Sequence, residues 1–477
     1  MPLKKNQKFI VKTLGCKANY SDGQLLEVGL MKQGFVPTHH LEEADYIVVN
    51  SCTVTNEADV QSQKLVKEAA KKNPNAKIIY TGCAAEVNPD LALKIPGVSA
   101  VIGNQNKLQA ATLIADYLND STTPTILGGV TSYSELISRH PIEREWPMPD
   151  SAMDEVLKLS PENSNYRTRV FIKIQEGCNS FCTYCIIPYG RGPNRSLRIE
   201  TILENIRELV ASGIQEVILT GTNVGDFGMD WSPSSKIDDL IEAILTQTEL
   251  KRLRVGSLDP TEISDRMIEL MEKHENFCPH FHLSLQHVES KILKLMKRKY
   301  NDDQAKACMD RLSKMKRKPF VGVDYIVGFP GETEEDFKES VQKLSNLYWS
   351  RLHVFPYSER SGTPATKLPH SVPVSIRKAR AKELQALSLE RLISMYRGNE
   401  RQTLLKNVLL EAKIKGPDGT MNWVSGYAPN YQRVILPVHA DQKPRNTIVD
   451  VRVGQWVVDR PSGEVTWMGE PTGELSL

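Results

Sequence analysis

The stretch VFIKIQEGCNSFCTYC, residues 170–185, decides how this chain is to be read. Its β-branched and aromatic first half predicts a strand, and its second half sets Cys178, Cys182 and Cys185 on a tight loop directly after that strand. Three thiolates spaced CxxxCxxC can hold one soft metal centre. A structural zinc wants a fourth Cys or a His at matching spacing, and the following Ile186, Ile187, Pro188 and Tyr189 supply none. The site is therefore left with an open position. On spacing alone, a zinc or redox reading stays open beside that of an iron–sulfur cluster.

Downstream of this loop, strand patterns recur near 216–219, 253–256, 281–285, 321–327 and 352–355, each followed by helical periodicity. Six βα units in succession predict a parallel barrel or partial barrel with its site at the C-terminal strand ends. The periodic segment 376–396 predicts a long amphipathic helix that closes this unit. Beyond Arg397 the pattern changes to short strands near 408–414, 421–424, 432–436, 447–453 and 463–467, divided by Gly, Pro, Asn and Asp. These predict a small antiparallel barrel of the oligonucleotide-binding type.

Upstream, strands at 9–13, 46–49 and 78–80 alternate with helices near 21–32 and 58–71, which predicts a small parallel sheet covered by helices. The whole is an α/β chain divided as 1–141, a polar linker at 142–165, a central unit at 166–397 and a terminal barrel at 398–470. His140, Glu143, Arg144 and Trp146 are expected to pack on a neighbouring unit. With 477 residues the chain is too long for one hydrophobic core, and 40% hydrophobic with 25% charged residues excludes disordered and fibrous classes.

No apolar run is long enough to cross a bilayer, and the basic, polar start lacks a signal-peptide core, so a cytoplasmic location is expected. In that compartment eight cysteines point to metal binding, catalysis or burial rather than disulfides. A net charge of +2 does not by itself announce a nucleic-acid binder. The basic runs at 291–300, 314–318 and 377–382 each read most simply as solvated helix faces.

Cys16 in TLGCKAN, Cys52 in VVNSCTV and Cys83 in YTGCAAE each directly follow one of the three upstream strands. In an open parallel sheet the C-terminal strand ends share one edge, so these distant thiols can converge into a second three-thiolate site. Buried structural thiols are common one at a time, but less so at three equivalent topological positions. Cys278 and Cys308 fit neither group and are expected to be buried free thiols.

An open iron on a [4Fe–4S] cluster is what chelation of S-adenosylmethionine by its amino and carboxylate groups requires. Here the sequence resembles the radical S-adenosylmethionine superfamily, including Tyr184, the aromatic before the last cysteine, which there lies near the cofactor's adenine. Two three-cysteine groups and a terminal barrel resemble the methylthiotransferases along nearly the whole chain, with the terminal barrel matching their TRAM domain. The GCKxN form at 15–19 and HVFPYSERSGTPA at 353–365 are most similar to the bacterial branch acting on threonylcarbamoyladenosine in tRNA. Residues after Cys16 usually differ in the isopentenyladenosine and ribosomal-protein branches.

The resemblance implies two [4Fe–4S] clusters. One, on Cys178, Cys182 and Cys185, reduces S-adenosylmethionine so that a deoxyadenosyl radical takes hydrogen from an aromatic carbon. The other, on Cys16, Cys52 and Cys83, presents sulfur to that carbon, and a second S-adenosylmethionine supplies the methyl group. The N-terminal sheet edge must then face the barrel mouth. Gly221, Thr222, Asn223, Arg254, Ser257, Gln286, Gly328, Phe329 and Pro330 are expected to line the S-adenosylmethionine pocket. Strand alternation puts His282, Ser284 and Gln286 on one face, with Asp324 and His353 able to join them inside the barrel. The sequence departs from the branch at His287, Val288 and Glu289, where a small turn is usual.

The implied partners are a tRNA anticodon stem-loop and an electron donor such as a flavodoxin or ferredoxin, with the enzyme a monomer off the membrane. Arg191, Arg195 and Arg198 of RGPNRSLR, Lys297 and Arg298, and Trp423, Tyr431 and Arg433 of the terminal barrel are the expected RNA contacts, the aromatics as stacking platforms and the cations at phosphate. Rival readings are the isopentenyladenosine or ribosomal-protein substrate and, in another class, a noncatalytic iron–sulfur RNA-binding protein.

Overall fold

The computed structural model describes residues 7–120, 124–129, 146, 168–398, 403–439, 442 and 444–473. The 142–165 linker lies outside the described residues except for Trp146, which packs against Gly192 and under the Arg195 guanidinium. His140, Glu143 and Arg144 also lie outside them.

The first unit is a six-stranded parallel sheet: β1 (Lys8–Thr13), β2 (Val36–Pro37), β3 (Tyr46–Ser51), β4 (Lys77–Gly82), β5 (Val98–Ile102) and β6 (Thr125–Leu127), in the order β2-β1-β3-β4-β5-β6. β3 is buried along its whole length, as a central parallel strand covered on both faces must be. Three of these strands escape the sequence pattern because β2, β5 and β6 are short and lack a long β-branched run. Helix α1 (Lys17–Lys32) follows β1, and α2 (Asn56–Lys72) follows β3. The Thr55 hydroxyl caps α2 by accepting the Ala58 N–H at 3.2 Å, with Glu57 and Asp59 in its first turn and Lys71 and Lys72 in its last.

The second unit holds β7 (Arg169–Glu176), β8 (Arg195–Ser196), β9 (Glu216–Gly221), β10 (Arg252–Val255), β11 (Ser257–Leu258), β12 (His280–Gln286), β13 (Phe320–Val327) and β14 (Arg351–Pro356). They form two four-stranded sheets, β10-β9-β7-β8 and β11-β12-β13-β14, which β10 and β11 join across Gly256. Apart from the two-residue β8, neighbouring strands pair in parallel. The result is a six-stranded partial barrel, open between β7 and β14, whose apolar core runs through both sheets and their helices. The long helix Val374–Gly398 closes it along β14 and then gives Leu392, Ile393 and Tyr396 to the core of the next unit.

That unit is a closed five-stranded barrel of β15 (Leu404–Ile414), β16 (Trp423–Tyr427), β17 (Arg433–Pro437), β18 (Ile448–Asp459) and β19 (Glu464–Pro471). Its pairs are antiparallel except β17 with β19, which closure makes parallel, so the expected all-antiparallel barrel is corrected at that seam. Among the described residues no helix is long and apolar enough to cross a membrane.

Candidate functional site

Cys16 follows β1, Cys52 follows β3 and Cys83 follows β4, so three neighbouring parallel strands deliver their thiols to one edge. Gly15 at φ +97° and Gly82 at φ +96° make the turns there. A side chain at Gly15 would strike the Cys52 sulfur, its Cβ falling 2.5 Å away, so the turn needs glycine both for its backbone and for that close approach. The Asn19 amide donates to the carbonyls of Leu14 at 2.6 Å, Asn50 at 3.3 Å and Ser51 at 3.1 Å, which pins the Cys16 loop onto β3. Burial, with the neighbouring Cys83 and Cys16 thiolates, pushes Cys52 up to about 12. Burial raises Cys83 as well.

Cys178, Cys182 and Cys185 lie on the loop after β7, and burial raises the thiols of Cys178 and Cys185. Thiols so costly to ionise suit a bound metal, which compensates the thiolate charge. Among the described residues no three ligating side chains close on a single ion's position. Three thiolates with no fourth Cys or His beside them in the sequence are the donor set of a cluster that takes its ligands at separate iron corners.

Around the second triad, Gln175 Oε1 accepts the N–H groups of Thr222 at 3.0 Å and Asn223 at 2.9 Å, holding the turn after Gly221. Tyr184 meets Phe329 edge-to-face at 6.3 Å. Glu332 accepts the N–H groups of Gly328 and Phe329, and shapes the turn that continues into Pro330. On β12 the alternation is as expected: Phe281, Leu283 and Leu285 are buried, while His282, Ser284 and Gln286 keep partial exposure toward the lumen. Gln286 ends β12 at this same mouth, while Ser257 opens β11 level with His282, deeper in the barrel. His287, in place of a small turn residue, is buried and stacks on Tyr325 at 5.1 Å.

Arg254 is a correction. It points toward the N-terminal end of the barrel, where its guanidinium hydrogen bonds Glu216 at 3.0 Å and the carbonyls of Pro429 at 2.8 Å and Ala428 at 3.0 Å. With Arg252 on the other oxygen of Glu216 at 2.6 Å, it ties the terminal barrel to the central one and does not line the mouth.

A buried ionic junction that no local pattern announced joins the N-terminal unit to the segments flanking the second triad. Arg191 pairs with Asp22 of α1 at 2.8 Å and with Glu176 of β7 at 2.9 Å. Lys173 joins Glu176 at 3.0 Å and also binds Asp22, while Lys107 sits 3.3 Å from Asp22 and contacts Glu176 as well. Burial would raise the Asp22 carboxyl, yet Lys107, Lys173 and Arg191 together hold it far below the usual carboxylate range. Asn104 donates both to the Cys83 sulfur at 3.4 Å and to the Gly190 carbonyl at 2.8 Å, joining the first triad to the segment that follows the second. Arg360, within the 353–365 motif, binds Asn56 at 2.6 Å and Asp59 at 2.5 Å, close after Cys52. The N-terminal sheet edge therefore faces the barrel mouth.

Several expected RNA contacts are corrected. Arg191 belongs to the junction, and Arg195 is buried with its donors on the carbonyls of Arg191 and Pro193. Arg298 lies 3.2 Å from the Cys182 sulfur, donates to the Ser284 carbonyl at 3.0 Å and pairs with Asp259, so it borders the second triad. Tyr431 stacks on His280 at 4.4 Å with the Arg254 guanidinium 4.9 Å from its ring, plugging the N-terminal end of the central barrel. Trp423 lies over Gly416 and donates its indole N–H to Asp418 at 2.9 Å. Arg198 and Lys297 are exposed. Cys278 and Cys308 are buried free thiols, as expected.

Toward the N-terminal end of the central barrel, away from the mouth, a cavity of about 310 Å³ lies between β12–β14 and the terminal barrel. His353 stacks there on His282 at 5.1 Å, and the His282 Nε2 lies 2.8 Å from Asp324. Burial, reinforced by His282, pulls His353 down to about 4. An unfolded histidine titrates near ~6.5, so between these values the unfolded chain binds the extra proton and stability falls as the pH drops. The native protein should lose on the order of 1–3 kcal/mol across this window through His353. In urea melts at neutral pH and at roughly pH 4, His353→Gln should lose less by that amount; equal losses would refute the assignment.

Residues 172–344 match the Radical SAM superfamily, and residues 8–103 match Uncharacterized protein family UPF0004. The chain is 32% identical over 427 residues to the threonylcarbamoyladenosine tRNA methylthiotransferase MtaB of Aquifex aeolicus, covering 90% of this chain and 98% of that one. It is 34% identical to the Bacillus subtilis protein of the same name over 428 residues, 89% of each chain. It is 32% identical to the tRNA-2-methylthio-N(6)-dimethylallyladenosine synthase of Lawsonia intracellularis over 462 residues, 94% of this chain and 96% of that one. Among solved structures, the radical S-adenosylmethionine methyltransferase TsrM of Kitasatospora setae shares the fold, with a TM-score of 0.54 over 76% of this chain and 77% of that one at 15% identity. A split parallel barrel carrying one thiol triad, docked through buried charge onto a sheet edge carrying another, and relatives at this identity over nine-tenths of the chain lead to one conclusion: the chain belongs to the methylthiotransferase family of radical S-adenosylmethionine enzymes.

Proposed function

We propose that this enzyme inserts a methylthio group into threonylcarbamoyl-modified adenosine in a tRNA anticodon loop. The observation that carries the reading is the apposition of the two triads, joined by Asn104 between Cys83 and Gly190 and by Arg191 between Asp22 and Glu176. Cys178, Cys182 and Cys185 would hold the [4Fe–4S] cluster that binds S-adenosylmethionine, and Cys16, Cys52 and Cys83 would hold the second. These groups supply one-electron cleavage of a sulfonium and a sulfur source next to the acceptor carbon. The chain's own residues orient and shield that chemistry. Tyr184, backed by Phe329, offers a stacking face at the mouth, and the turn Gly221, Thr222, Asn223 is held open by Gln175 for close backbone approach. Arg198 and Lys297 are the exposed cations that suit the RNA backbone.

In the domain division this reading adopts, residues 1–141 carry the sulfur-donating site, 166–397 the radical site and 398–470 the RNA-side barrel. The enzyme acts in the cytoplasm as a monomer, fed by a flavodoxin- or ferredoxin-type donor. The relatives bearing the threonylcarbamoyladenosine name support this substrate, while the Lawsonia relative names the isopentenyl-type rival. Nucleoside mass spectrometry on tRNA from cells lacking the gene separates them. The 2-methylthio derivative of threonylcarbamoyladenosine should disappear, with the isopentenyl derivative intact; the reverse pattern overturns the substrate. Anaerobic reduction of reconstituted enzyme with S-adenosylmethionine should yield deoxyadenosine, which a noncatalytic RNA-binding protein would not make.

A further inference from the structure

The cavity between the N-terminal ends of β12–β14 and the terminal barrel carries an uneven balance of charge. Its carboxylate Glu464 is held by Arg351 at 2.6 Å, and the nearby Asp324 is held by His282 at 2.8 Å. Two further cations line the same space, Lys17 from the N-terminal unit and Arg433 from the terminal barrel. Lys17 feels Tyr431 and Asp324 without closing an ion pair with either, and the buried Arg433 Nε has no hydrogen-bond partner among the described residues. Arg351, Lys17 and Arg433 thus stand against the two carboxylates Glu464 and Asp324, and this excess of cation from different units marks a place for an anion.

Lys17 also adjoins Cys16, so its side chain starts beside the first triad and ends in the cavity. On adenine, C2 and C6 flank N1 on the same six-membered ring. A base presenting C2 to the first triad therefore sends its N6 substituent along that neighbouring wall. The threonylcarbamoyl substituent ends in a carboxylate, and the cavity volume of about 310 Å³ lies within the range of small-molecule pockets. Resting on the function proposed above, we infer that Lys17 and Arg433 bind the carboxylate of the N6 substituent and so determine which modified adenosine is accepted.

The test uses reconstituted holoenzyme and two anticodon stem-loop RNAs, one with threonylcarbamoyladenosine and one with its carboxylate capped as the methyl ester. Wild type should favour the acid by roughly tenfold or more in kcat/KM, the scale of one charge-assisted hydrogen bond. Lys17→Met and Arg433→Gln should lose that preference through a raised KM for the acid alone, and Lys17→Arg should keep it. Iron content reports whether Lys17→Met is loaded; if it is not, Arg433→Gln, in a different unit, decides. Equal weakening on both RNAs would assign the cations to phosphate and overturn the inference. So would a preference that survives in the variants, or a wild type without one. A wild type that modifies neither RNA but accepts an isopentenyladenosine stem-loop would defeat the substrate reading itself.

Discussion

Replacing Cys16, Cys52 and Cys83 together with alanine should halve the iron retained after anaerobic reconstitution, from roughly eight to roughly four atoms per chain. The same variant should still cleave S-adenosylmethionine to deoxyadenosine but yield no methylthio product, because the triad proposed to serve the radical step lies on a different unit from the triad proposed to donate sulfur. Replacing Cys178, Cys182 and Cys185 should also halve the iron, yet abolish deoxyadenosine altogether. The asymmetry is what makes the result informative, since two clusters with interchangeable roles would respond alike. Iron falling to zero in either variant would mean that the triads share one centre.

The second large effect is on assembly. Arg191→Met removes the cation that bridges Asp22 of the N-terminal unit to Glu176 of the central barrel, both of which lie almost wholly out of water. Deleting one partner of a buried pair usually costs about 3–5 kcal/mol, but Lys107 and Lys173 still face both carboxylates, so about 1–3 kcal/mol is expected for the donors those oxygens lose. Chemical denaturation should show that loss. The double variant Asp22→Asn with Arg191→Met should cost less than the sum of the single changes, because the two side chains share one ion pair that each single change already breaks. Additive losses, or a loss under ~1 kcal/mol for Arg191→Met, would mean that Lys107 and Lys173 neutralise the junction without it.

Local order alone determined a good part of this protein. Most strands of the central barrel lay in recognisable apolar runs, and each cysteine triad stood after such runs, so loops after parallel strands were bound to place each triad at its own sheet edge. The alternation along residues 280–286 likewise told which side faces the lumen. Tertiary structure decided what a charged or aromatic side chain is for. Arg191, Arg254 and Arg298 read as surface cations or pocket residues, yet each is spent on a buried carboxylate contributed from elsewhere in the chain: Asp22, Glu216 and Asp259. Tyr431 read as a stacking platform and instead plugs a barrel made by strands far earlier in the chain. The physical reason is the same in every case. Backbone periodicity is a short-range property that the chain writes locally, whereas the cost of burying a charge depends on partners that only folding brings within reach.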